Sequence, residues 1–173
     1  MGSGVVAEAR VTVLPGAPTI YQAILEHPDR AKRDISSLRV AVTGAADIPP
    51  ELIRRVRDEL PFERILTGYG LTEAGTVTGS RPGDDFERIA TTVGVPWDGF
   101  DVRTVDEAGA DTVPGEPGEV IVRGETVMRT YLDDPDATAA AIDADGFLHT
   151  GDLGTFDAGG YLRIVGRIKA MFI

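Results

Sequence analysis

The 173-residue chain contains no cysteine. That excludes disulfides, thiolate nucleophiles and Cys-ligated zinc within it. Histidine is scarce as well: His27 and His149 are the only two and lie far apart in sequence, which argues against a multi-histidine metal site. No apolar run approaches the roughly 20 residues of a membrane-spanning helix, and no signal-peptide pattern is visible. Positive charge is in deficit, with 17 Lys and Arg against 28 Asp and Glu, a net charge of −11 and a pI near 4.5. Binding to nucleic acid needs clustered cations, so a general nucleic-acid surface is excluded as a reading. The plain consequence of the acidity is solubility. A nucleotide site, which needs only a few donors and a metal, stays open. The expected setting is cytoplasmic, without a transmembrane segment. Met1 to Gly4 reads as an initiating methionine with a short appended leader and is left out of the fold reasoning.

What is present fits a globular protein: 42% hydrophobic and 26% charged residues. Val11 to Leu14 reads as a short strand ending at Pro15-Gly16, and Thr19 as the cap of a helix from Ile20 toward His27. Leu38 to Thr43 is a second strand, closing in Gly44-Ala45-Ala46. Pro49-Pro50 open a helix whose Leu52, Ile53, Val56 and Leu60 share one face. Arg64 to Thr67 is a third strand, leading into a turn at Gly68-Tyr69-Gly70. Strand–helix alternation predicts a mostly parallel α/β sheet, with ligands beyond the carboxyl ends of its strands. From about Thr92 the texture changes to short strands between Gly, Pro and Asp: Val102 to Val105, Val120 to Arg123 and Tyr161 to Val165. That pattern predicts a small β-barrel-like subdomain, interrupted by one helix over Ala137 to Ile142 capped by Asp134 or Asp136. Trp97 reads as packing. The fold class is therefore α/β: a partial parallel layer over 5–92, the β-barrel-like part over 93–165, and a closing segment over 166–173.

Three segments invite a chemical reading. In Gly68-Tyr69-Gly70-Leu71-Thr72-Glu73, an aromatic, a hydroxyl and a carboxylate follow a glycine-rich turn that lets backbone approach a ligand. The aromatic can lie against a purine, the hydroxyl can reach a phosphate oxygen, and the carboxylate can hold Mg²⁺. The Rossmann fingerprint fails, because its third glycine falls on Glu73, and no Gly-Lys-Ser/Thr is present for a Walker loop. An ordinary tight turn explains the segment about as well. In Thr150-Gly151-Asp152 the carboxylate can accept both hydroxyls of a ribose, or simply cap a turn. In Gly166-Arg167-Ile168-Lys169 two cations can approach ribose and phosphate oxygens, or form a solvated surface pair.

In order and spacing these segments resemble the adenylate-forming superfamily: acyl-CoA synthetases, luciferases and peptide-synthetase adenylation domains. Gly68 to Gly75 resembles its YGxTE motif, Thr150 to Asp152 its TGD motif, Gly166 to Lys169 its GRxK hinge, Gly118 to Gly124 its GELxxxG segment, and Thr43 to Ala46 its adenine-side GGA turn. The resemblance implies that Gly44, Ala45 and Ala46 line the adenine and acyl pocket, and that Gly68, Tyr69 and Gly70 flank the adenine, with Tyr69 packed on it. It implies that Thr72 contacts the α-phosphate, Glu73 coordinates Mg²⁺, Asp152 binds the ribose hydroxyls, and Arg167 approaches ribose and phosphate. Lys169 follows in the hinge motif. The implied activity is AMP-forming acid–thiol ligation. A carboxylic acid attacks the α-phosphorus of ATP, pyrophosphate leaves, and CoA then takes the acyl group from the adenylate. Thr72 and Mg²⁺ at Glu73 would screen the meeting of two anions. The texture is that of actinobacterial ligases for fatty acids and steroid-ring-derived acids. The alternatives are an adenylation domain for amino or aryl acids and a non-catalytic nucleotide-binding remnant.

The resemblance covers only the C-terminal part of the family's large N-terminal domain. The phosphate-gripping Ser/Thr/Gly-rich loop and the mobile C-terminal domain with its adenylation lysine have no counterpart here. Thr130 stands in place of a common glycine, and Ile168 and Ala170 depart from the usual hinge. Exposed truncation surfaces are expected to favour self-association. The expectation is that this polypeptide alone has little or no ligase activity. Incubating it with ATP, Mg²⁺, CoA and a panel of carboxylic acids should give no thioester by mass spectrometry, and measurable thioester would contradict that.

Overall fold

A computed structural model describes residues 2–44 and 49–168. Ala45, Ala46 and Lys169 lie outside the described residues. The chain divides into two compact units, Met1–Gly68 with Ser80–Thr91, and Tyr69–Gly79 with Thr92–Ile173.

The first unit contains α1 (Gly2–Ala9), β1 (Val13–Pro15), α2 (Pro18–Leu25), β2 (Val40–Gly44), α3 (Pro50–Glu59), the opening of β3 (Arg64–Leu71) and α4 (Phe86–Thr91). β1, β2 and β3 run parallel, with Val13 opposite Val40 and Val40 opposite Arg64. Each parallel step needs a crossover, and the helices supply it. The ladder ends by pairing Gly44 with Gly68. α3 buries Ile53 and Val56 on its apolar stripe, and Leu60 just beyond it is buried too. Arg57 lies with its guanidinium 4.0 Å from the centre of the Phe86 ring. Tyr21 is fully buried, and its hydroxyl lies 3.0 Å from the Val42 carbonyl and within reach of that of Leu14. Burial pushes its pKa up to about 12. α2 begins at Pro18, two residues earlier than its sequence suggests. Ala17 occupies the N-cap and Pro18 the first helical position, so Thr19 does not cap. Proline is suited to that place because its fixed φ is helical and its missing N–H would have had no partner.

The second unit contains the end of β3, then β4 (Gly75–Gly79), β5 (Val95–Pro96), β6 (Phe100–Val105), β7 (Gly118–Gly124), α5 (Pro135–Ala141), β8 (Leu148–Phe156) and β9 (Leu162–Arg167). β4 and β5 pair antiparallel. β6, β7, β8 and β9 form an antiparallel sheet in that order, and among the described residues nothing closes it into a barrel. The α/β class stands, and the barrel-like part is an open sheet. Val120, Val122, Leu148 and Leu162 pack beneath it with Tyr69, Ala74 and Val77. Asp134 caps α5 by accepting the Ala137 amide at 2.9 Å. Trp97 lies across Gly79, where a Cβ would collide with its indole, yet remains 45% exposed.

Two further sequence expectations change. Gly68-Tyr69-Gly70 is strand rather than turn, because β3 continues to Leu71 and the chain reverses only at residues 72–74. A Cβ at Gly70 would run into the Gly75 carbonyl, so glycine is what lets the two arms of this hairpin approach. β8 is the second change: the segment holding His149 to Asp152 is a nine-residue strand.

Leu162 is fully buried in the second core and Leu132 is 88% exposed. Leu162→Ala should lower unfolding stability by about 2–4 kcal/mol in urea denaturation, and Leu132→Ala by less than about 0.5 kcal/mol.

Candidate functional site

Three of the sequence-predicted residues, Tyr69, Asp152 and Arg167, are bonded to one another in the second unit. The central one is Asp152. β7 and β8 are in register at Glu119 with Leu153 and again at Ile121 with His149. Between those pairs, Val120 alone faces Thr150, Gly151 and Asp152, so β8 bulges. A bulge frees backbone groups from the ladder and re-aims a side chain. The freed groups here are met by side chains. Thr150 Oγ1 donates to the Val120 carbonyl at 2.7 Å and accepts the Asp152 amide at 3.1 Å. Glu119 Oε1 accepts the Gly151 amide at 3.0 Å. Gly151 itself has φ of +71°, a conformation that disfavours any residue with a Cβ.

The bulge aims Asp152 inward, where it is only 6% exposed. A buried carboxylate needs donors, and two reach it. The Tyr69 hydroxyl donates to Oδ2 at 2.6 Å, and Arg167 Nε donates to Oδ1 at 2.7 Å. Asp152 and Arg167 are opposite each other in the β8–β9 register, which places the cation. Burial, then the bond to Asp152, raises the Tyr69 pKa above the usual tyrosine range, so the phenol stays a donor. The Arg167 pKa is raised too, chiefly by its bond to Asp152. Two donors do not exhaust a carboxylate, which offers about four lone-pair sites. Asp152 can therefore still accept from a vicinal pair of hydroxyls.

Thr72 is exposed and Glu73 half-buried at the tip of the β3–β4 hairpin. The tip is tied down by the segment after β7: the Met128 amide donates to the Glu73 carbonyl at 2.6 Å and Thr126 Oγ1 to the Ala74 carbonyl at 2.7 Å. The Tyr131 hydroxyl donates to Glu73 Oε1 at 2.9 Å, and Thr138 on α5 accepts the Tyr131 amide at 2.9 Å. Tyr131 is a residue the sequence reading passed over. Its only signal was a tyrosine just after Thr130, with no spacing rule linking it to Glu73. No cluster of three or more Asp, Glu, His or Cys able to hold a metal occurs among the described residues. One carboxylate with a free oxygen suits Mg²⁺, which keeps most of its waters and takes phosphate oxygens for the rest. Gly44 and Gly68 belong to the first unit and meet there in the β2–β3 ladder, while Tyr69, Gly70, Thr72, Glu73, Asp152 and Arg167 belong to the second.

Comparison with known proteins gives the family. The family model described as AMP-binding enzyme matches residues 3–132. The chain belongs to that family. It is 53% identical over 168 residues to a methyl-dioxo-octahydroindenyl-propanoyl:CoA ligase of Rhodococcus jostii, covering 97% of this chain and 31% of the relative. It is 54% identical over 165 residues to the ligase of the same description from Mycobacterium tuberculosis, covering 95% of this chain and 31% of the relative. The chain thus spans about a third of the length of these relatives. Among solved structures it is similar to an anthranilate CoA ligase in complex with anthranoyl-AMP, with a TM-score of 0.86 and 29% identity over 96% of this chain and 31% of that one.

Tyr69→Phe removes one of the two donors to the buried Asp152. It should cost about 1.5–3 kcal/mol in urea denaturation. In an Asp152→Asn background, where the charge is gone, the same change should cost clearly less, and equal costs would show that the bond carries no energy.

Proposed function

We propose that this chain supplies the adenylate-holding wall of an ATP-dependent, AMP-forming carboxylic acid–CoA ligase. The observation that carries this reading is the buried Asp152 carboxylate, aimed by a bulge and braced by Tyr69 and Arg167 within a member of the AMP-binding family. Asp152 would accept the two ribose hydroxyls. Arg167, which is largely exposed, can turn toward the phosphate while remaining near that carboxylate. Tyr69, Gly70 and the Gly44–Ala46 segment are assigned to the adenine, with Gly68 preceding the aromatic.

Thr72 and Glu73 are assigned to the phosphate end. Attack of a carboxylate on the α-phosphorus brings negative charge toward negative charge, so catalysis has to be electrostatic and positional. When bound, Mg²⁺ would supply Lewis-acid screening of the phosphate oxygens. Glu73 would hold it through Oε2, since Oε1 takes the Tyr131 hydroxyl, and Thr72 would donate to an α-phosphate oxygen. Lys169, in the hinge motif, is assigned to the nucleotide without a particular atom. CoA is the proposed acyl acceptor, and a fused-ring propanoic acid of the kind in the relatives' names is the proposed substrate class. The likeness to an anthranilate ligase supports a second reading, an aryl acid. Among the described residues no helix is long and apolar enough to cross a membrane, and a cytoplasmic site of action is the natural companion of this chemistry.

Calorimetric titration with AMP tests the assignment. The chain should bind AMP and should bind 2′,3′-dideoxy-AMP about tenfold or more weakly, because hydrogen bonds to a charged acceptor are lost. Asp152→Asn should weaken AMP and erase most of that preference. A flat AMP titration, or a preference untouched by Asp152→Asn, would overturn the proposal.

A further inference from the structure

Asp152 is aimed by a bulge, and the bulge is held in part by Glu119, a residue outside the proposed nucleotide contacts. Glu119 lies on β7 just before the register break, and its two carboxylate oxygens do different work. Oε1 accepts the Gly151 amide at 3.0 Å, and Oε2 lies 2.9 Å from His149 Nδ1. The far side of the imidazole, Nε2, lies 3.5 Å from Asp143 Oδ2. Asp143 is itself fixed, accepting the amides of Asp145 and Phe147 at 2.9 and 2.8 Å. A chain of contacts therefore runs from the turn after α5, through His149 and Glu119, to the Gly151 amide in the middle of the bulge.

We propose that Glu119 and His149 are positioning residues for Asp152: Glu119 clamps the Gly151 amide, His149 clamps Glu119, and together they hold the bulge that presents the Asp152 carboxylate. The proposal deepens the nucleotide reading and rests on it for the identity of what Asp152 meets.

The chemistry favours a clamp over an incidental surface contact. A carboxylate rotates freely unless both oxygens are engaged, and one oxygen alone would leave the Gly151 bond to compete with water. His149 engages the second oxygen and is itself held from behind by Asp143. Both groups facing the imidazole are acidic, Glu119 on β7 and Asp143 after α5, so the protonated ring is the favoured partner. In accord with this, the bond to Glu119 raises the His149 pKa above its ordinary value of 6.5. A raised histidine pKa has a definite sign: the clamp is at full strength below about that ordinary value and loosens as pH rises through the higher folded value. Above it, a neutral ring with its proton on Nδ1 can still donate to Glu119, but without the charge.

The test is carried out by nuclear magnetic resonance on the free chain, with AMP titration as a separate arm. His149 should titrate above ordinary histidine, and Glu119→Gln should bring it down toward the ordinary value. The Gly151 amide should be protected from exchange, and protection should fall as pH passes the His149 midpoint. Glu119→Ala should speed Gly151 exchange about tenfold or more, while Glu119→Gln, which keeps an acceptor oxygen, should retain most of the protection. A merely structural role would speed exchange along β7 and β8 alike and leave the His149 titration unmoved. An unprotected Gly151, or Gly151 exchange unchanged in Glu119→Ala, would overturn the clamp. In the second arm, folded Glu119→Ala should bind AMP about tenfold more weakly, and unchanged AMP affinity would overturn the positioning role. If the unaltered chain binds no AMP, the nucleotide reading fails, while the exchange and titration results still decide the clamp.

Discussion

A carboxylate buried to the extent of Asp152 cannot stand alone, and the arrangement of the second unit follows from that constraint. Its charge must be met by donors, and those donors must arrive from separate parts of the chain. Tyr69 comes from the end of β3 and Arg167 from the end of β9, with β8 between them in sequence. The Tyr69 ring is at once part of the hydrophobic core beside Val77 and Leu148 and the carrier of the hydroxyl that reaches Asp152. Packing and polarity are thus satisfied by one side chain. Loss of either donor would leave charge without compensation in a place that water reaches poorly.

The bulge in β8 is the means by which a regular sheet produces an irregular presentation. An unbroken β7–β8 ladder would fix the side chains to a strict alternation between faces. Three residues opposite one break that alternation, and the freed backbone groups are caught by Thr150 and Glu119 rather than left open. β9 answers with its own irregularity, since Leu153 pairs with Gly166 and Gly154 with Ile164, leaving Val165 unmatched. The same register places Arg167 opposite Asp152. Sheet geometry, more than any single contact, decides where the charge goes.

Part of this was legible in the sequence and part was not. The parallel β–α–β layer followed from alternating apolar runs and prolines, and the cap of α5 was narrowed in the sequence to Asp134 or Asp136, of which the structure uses Asp134. Asp152 and Tyr69 were singled out by motif, but their direct bond joins residues 83 positions apart, and no local pattern encodes such a contact. The reading of Gly68 to Gly70 as a turn failed because two glycines near a strand end signal either a turn or a close approach between strands, and only the Gly75 backbone across the hairpin settles which. Tyr131 was missed for a related reason: its partner Glu73 lies 58 positions away. β8 was missed because its motif interrupts the apolar alternation by which a strand is recognised.

The central claim is that Asp152 and the bulge around it are where a nucleotide ribose meets this chain. The most direct measurement is an amide and carboxyl chemical-shift map of the isotope-labelled chain as AMP is added. The account predicts that the largest changes fall on Gly151, Asp152, Tyr69 and Arg167, with smaller ones at Thr72 and Glu73. Changes centred instead on the surface depression beside Asp101 and Arg123, with the Asp152 carboxyl signal unmoved, would contradict it.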